Sequence, residues 1–216
     1  MTHGQESMRC SRAFSCRPGR ETAFREDAFS LIELLAVVAI LLILTTLYWR
    51  GNRGSRSKEQ EAACAQNLEK LFIALDIYAN EHSGRFPQKT GATTSAQALD
   101  LLVPKYSADT SLFICPGSKD APLPSAESIA SRQISYAYYM GREGRDAQTA
   151  LMTDRQVDTK SKAQGQPLFS STGQPPGNNH QNLGGNILFT DGHVDASGPT
   201  AGISLVFTQG VVLLNP

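Results

Sequence analysis

The sequence has no excess of charge of either sign. Its 20 Lys and Arg residues balance 20 Asp and Glu residues, so the formal net charge at pH 7 is zero. Because binding to phosphate backbones depends on a basic surface, this balance argues against a general nucleic-acid-binding protein. Aromatic residues are few, at 7%, and are scattered. They indicate no base-stacking platform, and no solenoid-type repeat is present.

Motifs of common enzymes and calcium proteins are also missing. The chain contains neither a Gly-x-Ser-x-Gly nucleophile motif nor an EF-hand loop. Cysteine is sparse, and two of the four, Cys10 and Cys16, lie in an N-terminal stretch that we expect to be removed. Cys64 and Cys115 remain for one disulfide in an oxidising compartment. The alternative is two buried free thiols that pack as small apolar side chains.

What the sequence does contain is one long apolar run, "FSLIELLAVVAILLILTTLYW", over residues 29–49. About 20 apolar residues suffice for a helix that spans a bilayer. The run is longer than the core of a secretory signal, and no small-residue cleavage site follows it, so we expect a retained membrane anchor. One carboxylate, Glu33, interrupts the run. A charge facing lipid at the membrane centre costs about 3 kcal/mol or more, so Glu33 calls for a partner and a function.

This stretch resembles the N-terminal signature of type IV pilins and type II secretion pseudopilins. The resemblance implies that a prepilin peptidase removes residues 1–28 as a leader, cutting between Ala28 and Phe29, with Ala28 at a position that is usually Gly. It further implies N-methylation of Phe29 and a helix over residues 29–49 that both spans the membrane and mediates assembly.

Under this resemblance Glu33 guides assembly, because its carboxylate can pair with the new α-amine of Phe29 in a neighbouring subunit. The alternative is a plain signal anchor with one tolerated acid near the interface. The resemblance implies a single-pass protein of the bacterial inner membrane with its head in the periplasm, or a subunit of a surface filament.

The residues after the anchor predict a second helical half and then a globular head. Residues 50–86 show a helical period, although Gly51 and Gly54 weaken the connection to the membrane part. Gly84 is a plausible end of the helix. The apolar stripe of this half consists of Cys64, Leu68, Leu71, Phe72, Leu75 and Tyr78.

Residues 87–216 are expected to form an α+β head. "SAQALDLLVPKY" predicts a short helix, and "SLFIC", "QISYAYYM" and "TALMTD" predict short strands. "GNILFTDGHVDAS" predicts a hairpin that turns at Asp191 and Gly192. The expected fold is pilin-like, with a long N-terminal helix packed on a small antiparallel sheet.

Parts of the head resemble a pilin-like subfamily that carries a C-terminal His…Asp-Gly motif. The matching stretches are "CAQNLEKLFIALDIYANEHSGRFP", "LFICPG" and "ISYAYYMG". Ten residues separate His180 from Asp191 here, one more than in the subfamily's motif. His180, His193, Asp154 and Asp191 are candidates to converge at the rim of the sheet. Asp154, His180 and Asp191 would then bind calcium or a transition metal. The alternative is a turn at Asp191 and a hydrogen-bonded His180.

The leading functional hypothesis is a structural, non-enzymatic subunit of a pilin-like or type II secretion pseudopilus filament without a cofactor. Its expected partners are further copies, other pilin-like subunits, the prepilin peptidase and inner-membrane lipids. One alternative is an anchored binding module that uses the long loop near Pro175. Another is an anchored hydrolase that uses His180 with Asp154 or Asp191. It is disfavoured because Cys115, the candidate nucleophile, has no His near it in the sequence.

Overall fold

The computed structural model of the protein describes residues 30–144 and 148–216, and within α1 the side chains of residues 49–55 are not described. Ala28 and Phe29 lie outside the described residues. The chain divides into two units, residues 1–47 and 48–216. The α-helices and strands are α1 (Leu31–Glu81), α2 (Ser95–Leu99), β1 (Tyr136–Met140), β2 (Ala150–Asp154), β3 (Gly185–Phe189), β4 (Val194–Ser197) and β5 (Val212–Leu214). An apolar N-terminal helix followed by an antiparallel sheet confirms the expected α+β, pilin-like architecture.

The first unit contains the apolar start of α1. The stretch Leu31–Tyr48 is long and apolar enough to cross a membrane, and none of it is buried within the structure. The hydroxyls of Thr45 and Thr46 donate to the carbonyls of Leu42 and Ile43 at 2.9 and 2.8 Å. These polar groups are therefore satisfied within the helix, as a helix surrounded by hydrocarbon requires.

The second unit contains the rest of α1, which packs through the predicted apolar stripe. Cys64, Leu68, Leu71 and Leu75 are fully buried, whereas Phe72 and Tyr78 are partly buried. The helix runs without interruption through the two glycines and ends at Glu81. There Ser83 adopts a left-handed φ of 57°, and the Gly84 amide donates to the Ala79 carbonyl at 2.8 Å. This hydrogen bond is that of a Schellman cap, with Ser83 in the left-handed position and Gly84 next to it.

The five strands form one antiparallel sheet in the order β4-β3-β2-β1-β5. One face packs on α1 and α2 and includes Tyr136 and Tyr138. The other face packs on the segments around Phe169 and Leu205 and includes Tyr139. Alternation along β1 thus places the first two tyrosines together, as predicted. Strands β1, β2 and β3 are buried on both faces, whereas the edge strand β4 is partly exposed.

Two elements differ from the sequence-based expectation. "SLFIC" is not a strand, because a 3-10 helix (Thr110–Phe113) occupies it. The carboxylate of Asp109 accepts a hydrogen bond from the Ser111 amide at 3.0 Å and so caps the N-terminus of this helix. In a strand that amide would instead bond to a neighbouring strand. Strand β5, which pairs with β1, was not predicted. Strand β5 has only three residues, which are too few to show the alternation of apolar and polar side chains that predicts a strand.

Candidate functional site: a buried cluster of histidine, aspartate and disulfide

Asp154 is the last residue of β2, and its side chain is fully buried. One carboxylate oxygen accepts from Asn179 Nδ2 at 2.7 Å. The other accepts from the backbone N of Asn186 at 2.8 Å, from Asn186 Nδ2 at 3.2 Å and from His180 Nε2 at 3.1 Å. These donors compensate a buried negative charge that would otherwise be unfavourable. Gly185 allows the close approach, since a Cβ there would lie 2.9 Å from Cβ of Asp154.

His180 connects this carboxylate to a sulfur atom. Its Nε2 lies 3.1 Å from Asp154 and 3.4 Å from Sγ of Cys115. Nδ1 has no hydrogen-bond partner among the residues that the structure describes. Burial alone lowers the pKa of His180, but the hydrogen bond and charge of Asp154, with a contribution from Glu61, outweigh it. The net pKa is therefore raised. Asp154 thus favours the protonated ring, and in the neutral ring it favours the tautomer that carries the hydrogen on Nε2.

A disulfide joins Cys64 of α1 to Cys115, and both residues are buried. Two side chains of α1 hold the same segment on either side of the bond. Gln60 Nε2 donates to the Pro116 carbonyl at 3.2 Å, and Asn67 Nδ2 donates to the Ile114 carbonyl at 3.1 Å. Residues 114–116 are therefore attached to α1 both by a covalent bond and by two hydrogen bonds.

The structure brings Asp154 and His180 together and leaves Asp191 apart from them, so the expected convergence at one rim is wrong. The physical reason is strand direction. Asp154 lies beside the first residues of β3, whereas Asp191 follows its last residue. Asp191 instead pairs with the exposed ring of His193 in the turn between β3 and β4.

The Asp191 turn performs a separate task. Its Gly192 has a φ of 92°, and its amide donates to the Phe189 carbonyl at 3.0 Å. A Cβ at Gly192 would lie 2.5 Å from the ring of Phe72 on α1. The turn therefore needs glycine both for its backbone conformation and for contact with the helix.

The proximity of Cys115 to His180 was missed at the sequence level, since 65 residues separate them. The sequence offered one weak signal, Gly117. A Cβ there would lie 2.7 Å from Nδ1 of His180. Cys, His and Asp in this order can activate a thiolate nucleophile. Here the sulfur is bonded to Cys64 and buried, so this form of the protein presents no nucleophile. Reduction of the disulfide would turn both sulfurs into thiolates, and the cluster would then offer S, N and O ligands.

A surface cavity of about 870 Å³ lies near the cluster. Residues 117–120 and 172–176 contribute to its wall, as do Asn179 and Arg155. Arg155 donates to the carboxylate of Asp120 at 2.8 Å, and both side chains are largely buried. The long loop that was considered as a binding element therefore borders a real depression.

The residues assigned to processing and assembly are only partly described. Glu33 lies in the first turn of α1 and is exposed. Ala28 and Phe29, the predicted cleavage position, are outside the described residues. The roles of all three remain predictions.

Comparison with known proteins gives one relevant similarity. The chain is 32% identical over 84 residues to the type II secretion system core protein G of Aeromonas hydrophila. The match covers 39% of this chain and 54% of that relative, so the chain spans about half of the relative's length. No family model matches the chain, and no solved structure does either. The fold is thus pilin-like in class, and the partial similarity is to a type II secretion pseudopilin.

Proposed function

We propose that the protein is a single-pass inner-membrane subunit of a type II secretion pseudopilus and has no enzymatic activity. The observation that carries the proposal is the apolar start of α1, which is exposed along its whole length and holds a single acid, Glu33. The partial similarity to a type II secretion core protein supports it. Pilin-like subunits, the prepilin peptidase and membrane lipids are its proposed partners.

The apolar start of α1 is energetically unsuited to water. Each fully buried Leu, Ile or Val side chain contributes about 1.5–3 kcal/mol. Side chains such as Leu31 and Ile32 are 81% and 76% exposed, and nearly all large side chains up to Tyr48 are more than half exposed. A bilayer before assembly and neighbouring helices after assembly would both cover this surface.

Cleavage between Ala28 and Phe29 would supply the partner that Glu33 needs. Cleavage creates an α-amine, which is mostly protonated and therefore positively charged at neutral pH. In a helical assembly the amine of one subunit can reach the Glu33 carboxylate of another, and the pair is far less unfavourable in an apolar setting than a lone charge. N-methylation of Phe29 would keep this positive charge.

The Cys64–Cys115 disulfide supports the proposed orientation. Disulfides persist in oxidising compartments such as the periplasm and are rare in the bacterial cytoplasm. A head that carries a buried disulfide is therefore expected on the periplasmic side.

Two measurements test the proposal. Mass spectrometry of the membrane-extracted protein should find a methylated Phe29 as the first residue, and an intact Met1 would contradict the processing. Glu33→Leu should insert and be cleaved normally but fail to cross-link to neighbouring copies in the membrane. Thr45→Leu, a polar-to-leucine change in the same helix, is the matched control and should assemble. Normal assembly of Glu33→Leu would refute the role of the carboxylate.

A second candidate, compatible with the first, is recognition of a secreted polypeptide at the cavity bordered by residues 172–176. The observation that favours it is the cavity itself, whose wall includes the polar side chains of Lys119 and Gln174. Replacing both with Ala should lower secretion of a client while assembly stays unchanged. Unchanged secretion would contradict this role.

A further inference from the structure

The Cys64–Cys115 disulfide has unusual surroundings. A structural disulfide needs no ionisable neighbour, and burying a carboxylate and an imidazole beside it is unfavourable unless they serve a purpose. Yet Asp154 and His180 are both buried here, and one ligand atom from each, with the two sulfurs, all lie within 4.8 Å of one another.

We propose that the reduced form of the protein binds one Zn²⁺ through Sγ of Cys64, Sγ of Cys115, Nε2 of His180 and a carboxylate oxygen of Asp154. This site is independent of the proposed role in a pseudopilus. Two thiolates, one imidazole and one carboxylate are a ligand set that zinc accepts in four-coordinate sites, and the thiolates disfavour calcium and magnesium.

The distances already present fit a tetrahedral ion. Zinc bonds of about 2.3 Å to sulfur and about 2.0–2.1 Å to nitrogen or oxygen give S···N edges of about 3.5 Å and N···O edges of about 3.3 Å. The structure has 3.4 Å between Cys115 Sγ and His180 Nε2, and 3.1 Å between His180 Nε2 and Asp154. All four ligand atoms lie within 4.8 Å of one another, so after the disulfide opens the two sulfur atoms have to separate and the other ligand atoms have to move by little more than about 1 Å.

The surroundings of the ligands are suited to hold them in place. Asn179 and Asn186 donate to the carboxylate of Asp154 and fix its orientation. Gln60 and Asn67 hold the backbone on both sides of Cys115 against α1. Loss of such outer hydrogen bonds commonly lowers metal affinity about 10- to 100-fold.

Zinc binding and the disulfide exclude each other, so the site responds to redox conditions. Oxidation by a small disulfide such as oxidised glutathione transfers two electrons from the two thiolates to its S–S bond. The Cys64–Cys115 bond forms, two glutathione thiolates leave, and Zn²⁺ is released unchanged in charge. The oxidised protein keeps only His180 and Asp154 as ligands, which are too few for a structural zinc site.

The test uses the full chain in detergent, reduced with a phosphine that does not bind zinc. The reduced protein should bind about one equivalent of Zn²⁺, measured by competition with a chromophoric chelator. Co²⁺ in its place should give thiolate-to-cobalt charge-transfer absorption. Oxidised glutathione should release the metal. His180→Ala and Asp154→Ala should bind at least about tenfold more weakly, and Cys64→Ala/Cys115→Ala should not bind.

His193→Ala is the matched control, because His193 also pairs with an aspartate but lies in the exposed turn. It should bind zinc as the wild type does. Equal binding by the oxidised and reduced proteins, or no binding by a folded reduced protein, would overturn the proposal. If reduction alone unfolds the head, Zn²⁺ should restore its near-ultraviolet circular dichroism, and failure to restore it would also overturn the proposal.

Discussion

Removing the Cys64–Cys115 disulfide should strongly destabilise the head. The two cysteines are 51 residues apart. In the chain-entropy relation, a loop of this length corresponds to about 4 kcal/mol of stabilisation at 25 °C. Each kcal/mol shifts the Tm of a domain of this size by about 2–4 °C. Cys64→Ala/Cys115→Ala should therefore unfold about 8–16 °C below the oxidised wild type.

The assay has to report the head rather than the apolar start of α1, which we expect to stay helical in detergent. The near-ultraviolet circular dichroism of the buried Tyr136, Tyr138 and Tyr139 does this, since it depends on fixed packing around these rings. Zinc must be removed with a chelator, so that the reduced forms are compared without metal. The wild type in a phosphine reductant should behave like the double variant.

The two single variants are the control for this reasoning. The bond is lost whichever cysteine is replaced, so Cys64→Ala and Cys115→Ala should each cost nearly as much as the double variant. Additive single effects would mean that packing of the two side chains dominates. A double variant within 1 kcal/mol of the wild type would refute the chain-entropy account.

Two further predictions concern single residues of the head. Gly184 has a φ of 119°, and a Cβ there would lie 1.9 Å from the Ser197 carbonyl oxygen, whereas a Cβ at Gly198 would meet nothing within 4 Å. In urea titrations, Gly184→Ala should thus lower the free energy of unfolding by about 2 kcal/mol or more. The control Gly198→Ala should lower it by less than about 1 kcal/mol. Similar losses for the two variants would contradict the expected backbone strain at Gly184. The pKa of His180 is raised in the folded protein, so the protonated ring stabilises the fold. This stabilisation should be complete below the ordinary histidine pKa of about 6.5 and should be lost as the pH rises through the pKa of the folded state. The stability difference between wild type and His180→Asn, measured in chelator from pH 5.5 to 8.5, should shrink with rising pH, and a constant or growing difference would refute the ion pair.

Much of the fold was predictable because it depends on local patterns. The apolar run, the buried stripe of α1 and the alternation in β1 each follow from a period that the side chains repeat several times. The hairpin between β3 and β4 followed from Asp191 and Gly192, a dipeptide suited to positive φ. The 3-10 helix before Ile114 was not predictable in this way, because a single cap at Asp109 decided it.

The candidate site was predictable only in part, because its contacts join distant segments. Asp154 was singled out because it ends a predicted strand, and His180 because it precedes Asp191 and Gly192 in a His…Asp-Gly pattern. The contact of Cys115 with His180 could not be inferred, because a contact over 65 residues leaves no periodic signal in one sequence. The asparagine donors to the carboxylate were missed for the same reason, since asparagine in a loop first suggests a turn.

The His…Asp-Gly spacing is better understood as two structural devices than as one site. His180 and Asp191 lie beyond opposite ends of β3 and share no partner among the described residues. At one end, His180 completes the buried cluster that ties the end of β2 to the disulfide. At the other end, Gly192 fits against Phe72 of α1. Both ends of β3 are thus fixed against elements that also contact α1, so the register of this strand is set from two sides.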